Sequence, residues 1–253
     1  MFDKLAMATR RIARAVGVDS VAKRDSVSSF HSFQYLRHNA RRLEHLASLG
    51  IPVSGSSVLE VGAGIGDHSN FYIDRGCKIT ITEAREENLR ILRRRFPACR
   101  VQMLDMDAPS ALDGAPFDVT HCYGLLYHLT EPAQALAYLS ANTRDMLLLE
   151  TCVSYGDELM TNVVAERQDD PTQAYSGTGC RPTRAWLFKE LQGLFEFVYV
   201  PTTQPWHEEF PLDWTAPNSH HEALQRTVFI ASRKPLSSEN LSPVLIAQQQ
   251  RHQ

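Results

Sequence analysis

The chain has 253 residues, 43% hydrophobic and 22% charged, with a net charge of −3 and a pI near 6.4. That balance excludes a low-hydrophobicity disordered chain and a general nucleic-acid binder. No apolar run approaches the roughly 20 residues of a membrane span, and the N-terminus has no apolar core followed by a small-residue cleavage site, so no secretory signal is expected. Five cysteines (77, 99, 122, 152 and 180) form no Cys-x-x-Cys pair, which predicts reduced thiols, a cytoplasmic location and no metal site.

Residues 1–45 hold nine Lys/Arg against four Asp/Glu, so the acidity lies in the remainder. The segment reads as a solvated basic helix face, with a polyanion site as the alternative. Apolar residues Phe2, Leu5, Ala6, Ala13 and Val16 predict a weak amphipathic helix over 2–16. Phe33, Leu36, Ala40, Leu43 and Leu46 predict a second over 32–49, stopped by Gly50-Ile-Pro52. From 57 to 152 apolar strands alternate with helical segments, which implies a parallel sheet covered on both faces.

Helices are predicted over 67–75, 86–96 and 130–141, the last with Thr130 as N-cap and Pro132 in its first turn. Met146-Leu-Leu-Leu-Glu150 predicts a fifth buried strand. Residues 154–184 are polar and irregular and suit a lid over the strand ends. A helix over 183–194 and a strand over 195–200 follow. Residues 202–219 form a second irregular stretch rich in aromatics and prolines, and 227–232 a last strand, antiparallel to its partner. Residues 236–253, Ser-rich then Gln-rich, are expected to be a disordered tail.

The chemistry concentrates in Val58-Leu-Glu-Val-Gly-Ala-Gly-Ile-Gly-Asp67. A buried strand ends at Glu60 and breaks into a turn with glycines at 62, 64 and 66, where a ligand can lie against bare backbone. A dinucleotide fingerprint would need its third glycine one position later, and Asp67 stands there. An acid, Glu83, closes the next strand about 20 residues on, the place from which a carboxylate accepts both protons of a ribose diol. Asp105 ends the third unit, and Phe117-Asp-Val-Thr-His-Cys-Tyr-Gly-Leu-Leu-Tyr-His128 forms the fourth strand and its loop.

In this order over residues 57–129, these elements resemble the class I S-adenosylmethionine-dependent methyltransferases. The resemblance implies a Rossmann-like, doubly wound seven-stranded α/β sheet (51–235) with an N-terminal helical cap (1–50) and lid insertions. It implies S-adenosylmethionine bound at the carboxyl ends of the strands, with S-adenosylhomocysteine as product. Glu60, Gly62, Gly64, Gly66, Glu83, Ala84, Asp105, Met106, Cys122 and Tyr123 are the expected cofactor contacts. Asp107 is a rival to Asp105. Asp67 and His68 serve either as helix cap or as contacts to the methionine tail.

His128 follows the fourth strand near the expected methyl group and is the candidate general base, with a loop anchor as its alternative role. Tyr35, Tyr127, Tyr175, Trp206 and His207 are expected around the acceptor. Arg181 and Arg184, just before a helix, could clamp an anionic group or simply begin that helix. His207, Glu208 and Glu209 are alternative bases. The resemblance leaves the acceptor open: a small-molecule hydroxyl, carboxylate or amine is favoured, with an RNA methyltransferase or a non-catalytic protein of the same fold as rivals.

Overall fold

In the computed structural model the described residues are 25–168, 170, 172–174, 176–215 and 224–253. The predicted helix over 2–16 lies outside them. The second N-terminal helix spans Phe33–Ser48, capped by Ser32, whose hydroxyl accepts from the Tyr35 amide.

The main sheet uses β1 (Ser57–Val61), β2 (Lys78–Glu83), β3 (Arg100–Met103), β4 (Phe117–Tyr123) and β5 (Thr143–Cys152). It is completed by β8 (Phe197–Pro201), β10 (Arg226–Ser232) and the short edge strand β11 (Leu241–Ser242), in the order β11-β8-β10-β5-β4-β1-β2-β3. β1 through β5 run parallel, and β10 is antiparallel to both β5 and β8. The sheet thus has eight strands where seven are expected, because the C-terminal segment supplies an extra edge.

Successive residues of a strand face opposite sides. Met146 and Leu148 enter one hydrophobic cluster with Val58, Val119 and Leu92, while Leu147 and Leu149 enter another with Leu59, Leu136 and Leu187. Both faces are therefore buried, which is why β5 reads as an unbroken apolar run. The Glu86–Arg95 helix covers the first face, and the Pro132–Ala141 and Arg184–Leu194 helices cover the second.

Three expectations are corrected. Thr130 does not cap the Pro132–Ala141 helix; Glu131 occupies that position, and Thr130 donates through its amide and its hydroxyl to Asp107. Residues 154–184 are not wholly irregular: β6 (Thr161–Ala165) and β7 (Thr178–Pro182) form an antiparallel hairpin. Residues 236–253 are no disordered tail. β11 pairs with β8, and β12 (Gln250–Arg251) runs parallel to β9 (Thr203–Gln204).

Polar side chains do in that last segment what apolar ones do elsewhere. The buried Gln249 amide donates to the Pro201 carbonyl (2.6 Å) and its oxygen accepts from Gln204 (2.9 Å) and the Trp214 indole (2.7 Å). Gln249→Ala should leave those partners buried without a mate and lower stability by about 1–3 kcal/mol. Urea unfolding measures this, and an unchanged midpoint would mean that the C-terminal segment contributes nothing to the fold.

Candidate active site

The glycine loop follows β1. Gly62, Gly64 and Gly66 have φ of 69°, 58° and 85°, a region that side chains with a Cβ enter at a cost. A Cβ at 62 would meet Leu125, one at 64 would meet Phe30, and one at 66 would run into Phe96 and Leu92. The first two glycines hold the loop open at the ligand side, and the third seats it on the Glu86–Arg95 helix.

Glu83 ends β2 and faces this loop. Its carboxylate accepts from the amides of Gly64 (2.8 Å), Ala84 (3.0 Å) and Arg85 (3.0 Å). A carboxylate offers about four acceptor positions, so one is left for the cleft. Burial pushes the Glu83 carboxyl up, and the three amides work against that rise. Gly62, Gly64, Glu83, Ala84, Asp105, Met106, His128 and Tyr35 line one cleft of about 670 Å³.

A second recess of about 350 Å³ adjoins it through Phe30, Tyr35 and Gly62, and is lined by Glu60, Asp67, His68 and Tyr123 along with Asn39 and Arg42. Three buried atoms of these residues have no hydrogen-bond partner: Asp67 Oδ2, Tyr123 OH and Arg42 Nε. An anionic acceptor beside cationic and neutral donors complements a zwitterion, the form of an amino-acid tail.

The recess is stiffened by a relay whose tautomers follow from its end. Asn39 Oδ1 accepts from Arg42 (3.3 Å), so His68 must donate to it through Nε2 (3.1 Å). His68 Nδ1 then accepts from His121 Nε2 (3.1 Å), and His121 Nδ1 accepts from the Tyr72 hydroxyl (2.8 Å). Burial drives both imidazoles toward the neutral form. Glu60 accepts from the Ser69 hydroxyl, and burial raises its carboxyl to about 7.

His128 sits on a 3₁₀ turn, Leu126–His128, after β4 and borders the cleft. Its Nδ1 contacts Glu166 Oε2, and Glu166 is in turn held by Arg181 (3.1 Å) and the Ala174 amide (2.8 Å). A carboxylate with these donors is ionised, so Nδ1 carries the proton and Nε2 is the nitrogen able to accept one. The β6–β7 hairpin therefore orients the ring. It approaches closely because residue 179 is glycine; a Cβ there would run into the Tyr127 carbonyl oxygen. In the loop that joins β6 to β7, Thr172 and Gln173 line the cleft, and Arg85 donates to the Gln173 carbonyl (3.0 Å).

Several expected residues stand elsewhere. Gly66 serves packing, as above. Cys122 is fully buried in the hydrophobic core, its thiol pushed up to about 12 by burial. Tyr127 is buried beneath the cleft, its hydroxyl accepting from Arg226 (3.2 Å) and its ring flanked by Arg181 and Arg226. Arg181 is spent on Glu166 and the Tyr127 carbonyl (3.0 Å). Arg184 opens into a different cavity. Trp206 is half exposed and donates to the His252 carbonyl (2.8 Å). His207 stacks on His38, ring centroids 4.6 Å apart. Glu208 pairs with Arg37 and Glu209 with Arg226, so neither is a free base. Residues 202–215 line neither recess, and 216–219 of the same predicted segment lie outside the described residues. Asp107 does line the cleft, but accepts from Thr130. Tyr175 lies outside the described residues.

The residues missed by sequence reasoning are Asn39, Arg42, Leu125, Glu166 and the Glu150–Arg226 pair. Arg42 on the inward face of an amphipathic helix was a signal in plain view, because a charge there must be paired or functional. Among the described residues two groups bring metal-type ligand atoms within 4.8 Å of one another: His38, His207 and Glu209, and Glu60, His68 and His121. In each, the carboxylate already accepts a hydrogen bond, from Arg226 or Ser69.

Residues 58–145 match the family model described as a methyltransferase domain. A tRNA U34 carboxymethyltransferase from Vibrio campbellii is 27% identical over 218 residues, 76% of this chain and 65% of that protein. A ubiquinone biosynthesis O-methyltransferase from Albidiferax ferrireducens is 30% identical over 103 residues, 39% of this chain and 40% of the relative. The chain thus spans less than two thirds of these curated relatives. Among solved structures, the N-terminal domain of EvdMO1, determined with S-adenosylhomocysteine and D-fucose, aligns with a TM-score of 0.58 at 22% identity, covering 78% of this chain and 83% of that one. Magnesium protoporphyrin IX methyltransferase from Synechocystis aligns at 0.57 and 13% identity, over 90% of this chain and all of the other. The family model thus gives residues 58–145 a methyltransferase domain, and the fold is the Rossmann-like one shared by S-adenosylmethionine-dependent methyltransferases.

The cleft fits that cofactor. Glu83 has an acceptor position to spare for the ribose, and the orphaned atoms of Asp67, Tyr123 and Arg42 suit the methionine tail. Glu83→Gln removes the charge while keeping most of the shape. It should weaken S-adenosylhomocysteine binding by about 10–100-fold in calorimetry, the range for losing charged hydrogen bonds. An unchanged dissociation constant in the folded variant would show that the ribose does not reach Glu83.

Proposed function

We propose that the chain transfers a methyl group from S-adenosylmethionine to a hydroxyl or amine of a small molecule, with His128 taking the acceptor's proton. When bound, the cofactor supplies an electrophilic methyl carbon on a sulfonium. The observation that carries the reading is the Glu166–His128 contact at the edge of the cleft. A hydroxyl that becomes an ether must lose its proton, and so must an ammonium that becomes a methylamine; Nε2 of His128 is the group held ready to take it. The remaining acceleration comes from alignment in a cleft closed on one side by Phe30 and Tyr35 and on another by Thr172 and Gln173. A carboxylate acceptor would need no base and would leave the dyad without a task.

The second reading is RNA. It is favoured by the tRNA-directed relatives and by the Glu86–Arg95 helix, which exposes Arg90 and Arg93, each paired with Glu86, and begins just after Arg85 at the cleft. The hairpin beside His128 favours the smaller acceptor. Incubation with methyl-labelled cofactor, a pool of small metabolites and bulk tRNA separates the two, and label confined to tRNA would overturn the first.

The dyad also fixes a pH signature. Burial lowers the His128 pKa below the ordinary 6.5, and Glu166 pulls it part of the way back. Turnover needs the neutral ring, so kcat should hold from neutral pH upward and fall only below about pH 6.5. Glu166→Gln removes the group that raises the pKa, so the acid limb should move to lower pH while kcat drops. His128→Ala should lower kcat by about 10²–10⁴ with little change in cofactor affinity. Full turnover in His128→Ala, or an acid limb indifferent to residue 166, would remove the base from the mechanism.

A further inference from the structure

Arg184 is the first residue of the Arg184–Leu194 helix, behind the N-cap Thr183. It is 6% exposed. Its guanidinium lies 4.1 Å over the Trp214 ring, and one nitrogen, Nη1, donates to the Ile246 carbonyl (3.0 Å). Nε and Nη2 have no hydrogen-bond partner, and among the described residues Arg184 makes no ion pair. A buried cation without an ion-pair partner is costly, and burial lowers the Arg184 pKa to about 9 although Tyr155 and Asp157 work against that fall.

The side chain lines a cavity of about 350 Å³ that shares no residue with the cofactor cleft or its recess. Three chain segments build it: the start of the 154–184 insertion (Ser154, Tyr155, Asp157), Trp214 with Thr215, and Leu245, Ile246 and Ala247 of the C-terminal segment. Its aromatic wall is fixed. The Trp214 indole donates to Gln249 (2.7 Å), and the Tyr155 hydroxyl donates to the Asp213 carbonyl (3.3 Å). Asp157, also on the cavity lining, is not within ion-pair distance of Arg184 and acts on it only at longer range, against the effect of burial. The free edge of a guanidinium is a two-pronged donor that matches a carboxylate or phosphate, and the helix N-terminus behind it has the same preference.

We propose that this cavity is a second ligand site, separate from methyl transfer, that binds an organic anion through Arg184 and packs the ligand's apolar body against Trp214, Tyr155 and Leu245. The two polar atoms left over are those an anionic head would satisfy, while the remaining lining supplies apolar surface that an inorganic ion would not use.

The full-length protein is titrated with benzoate and, separately, with inorganic phosphate, following tryptophan fluorescence and thermal unfolding. Benzoate should bind saturably with a dissociation constant near or below about 1 mM and raise Tm. Phosphate should bind more weakly; tighter phosphate binding at the same residue would assign the site to phosphate-bearing ligands. Arg184→Gln and Arg184→Lys should each weaken benzoate at least about tenfold, the lysine variant because a point charge cannot reproduce the fork. Cofactor affinity should be untouched in both. Absence of saturable binding of either anion, or equal binding to wild type and both variants, would reduce Arg184 to a tether for Ile246 and overturn the proposal.

Discussion

The architecture hangs on one buried chain of charges at the carboxyl ends of the strands. Glu150, at the end of β5 and fully buried, accepts from Arg42 (2.6 Å) on one oxygen and from Arg226 (3.2 Å) on the other. Arg226 continues to Glu209 and to the Tyr127 hydroxyl. Two cations and two anions alternate, so the group is balanced, and no member can be removed without leaving an unpaired charge inside the protein. Breaking such a pair typically costs about 3–5 kcal/mol, far more than the intact pair contributes over an apolar replacement. Its value is geometric. It locks the Phe33–Ser48 helix, β5, β10 and the 202–215 segment to one point, directly beneath the turn that carries His128.

From that point the two halves of the site diverge. On one side Arg42 and Asn39 lead through His68 and His121 to Tyr72, a neutral hydrogen-bonded relay that fixes the wall of the smaller recess. On the other side Tyr127 lies between Arg226 and Arg181, and Arg181 leads to Glu166 and His128. Cofactor end and proton-accepting end are thus supported by one connected polar network. The separate Arg184 cavity has no part in it, and among the described residues its buried guanidinium makes no ion pair, unlike those of Arg42 and Arg226, a contrast that sets it apart as a place for a ligand.

Much of this was legible in the sequence. The glycine spacing, Glu83 and Asp105 specify the loop and cleft because each residue type is demanded by a local constraint: positive φ, a diol, a strand end. β5 was readable from Met146-Leu-Leu-Leu because both faces of a parallel strand are apolar. The charged network was not, because pairing across Arg42, Glu150 and Arg226 joins residues 108 and 76 positions apart, with no periodicity to mark it. The hairpin was read as irregular since β6 buries little: Val163 is 77% exposed, and Glu166 beyond it acts through its carboxylate. The C-terminal segment misled for the opposite reason. Its glutamines and serines resemble a solvated tail, yet Gln249 and Asn240 satisfy backbone and side-chain partners inside the protein. Arg184 was placed at the cleft on chain position alone, and a turn after β7 carries it away.

The central claim is that the cleft and its recess together hold S-adenosylmethionine in one orientation, with the reacting carbon beside His128. A crystal structure of the complex with S-adenosylhomocysteine tests it most directly. The account requires the ribose hydroxyls on Glu83, the amino-acid tail on Asp67, Tyr123 and Arg42, and the sulfur facing the His128 ring. A tail directed away from Arg42, or a sulfur remote from His128, would contradict it.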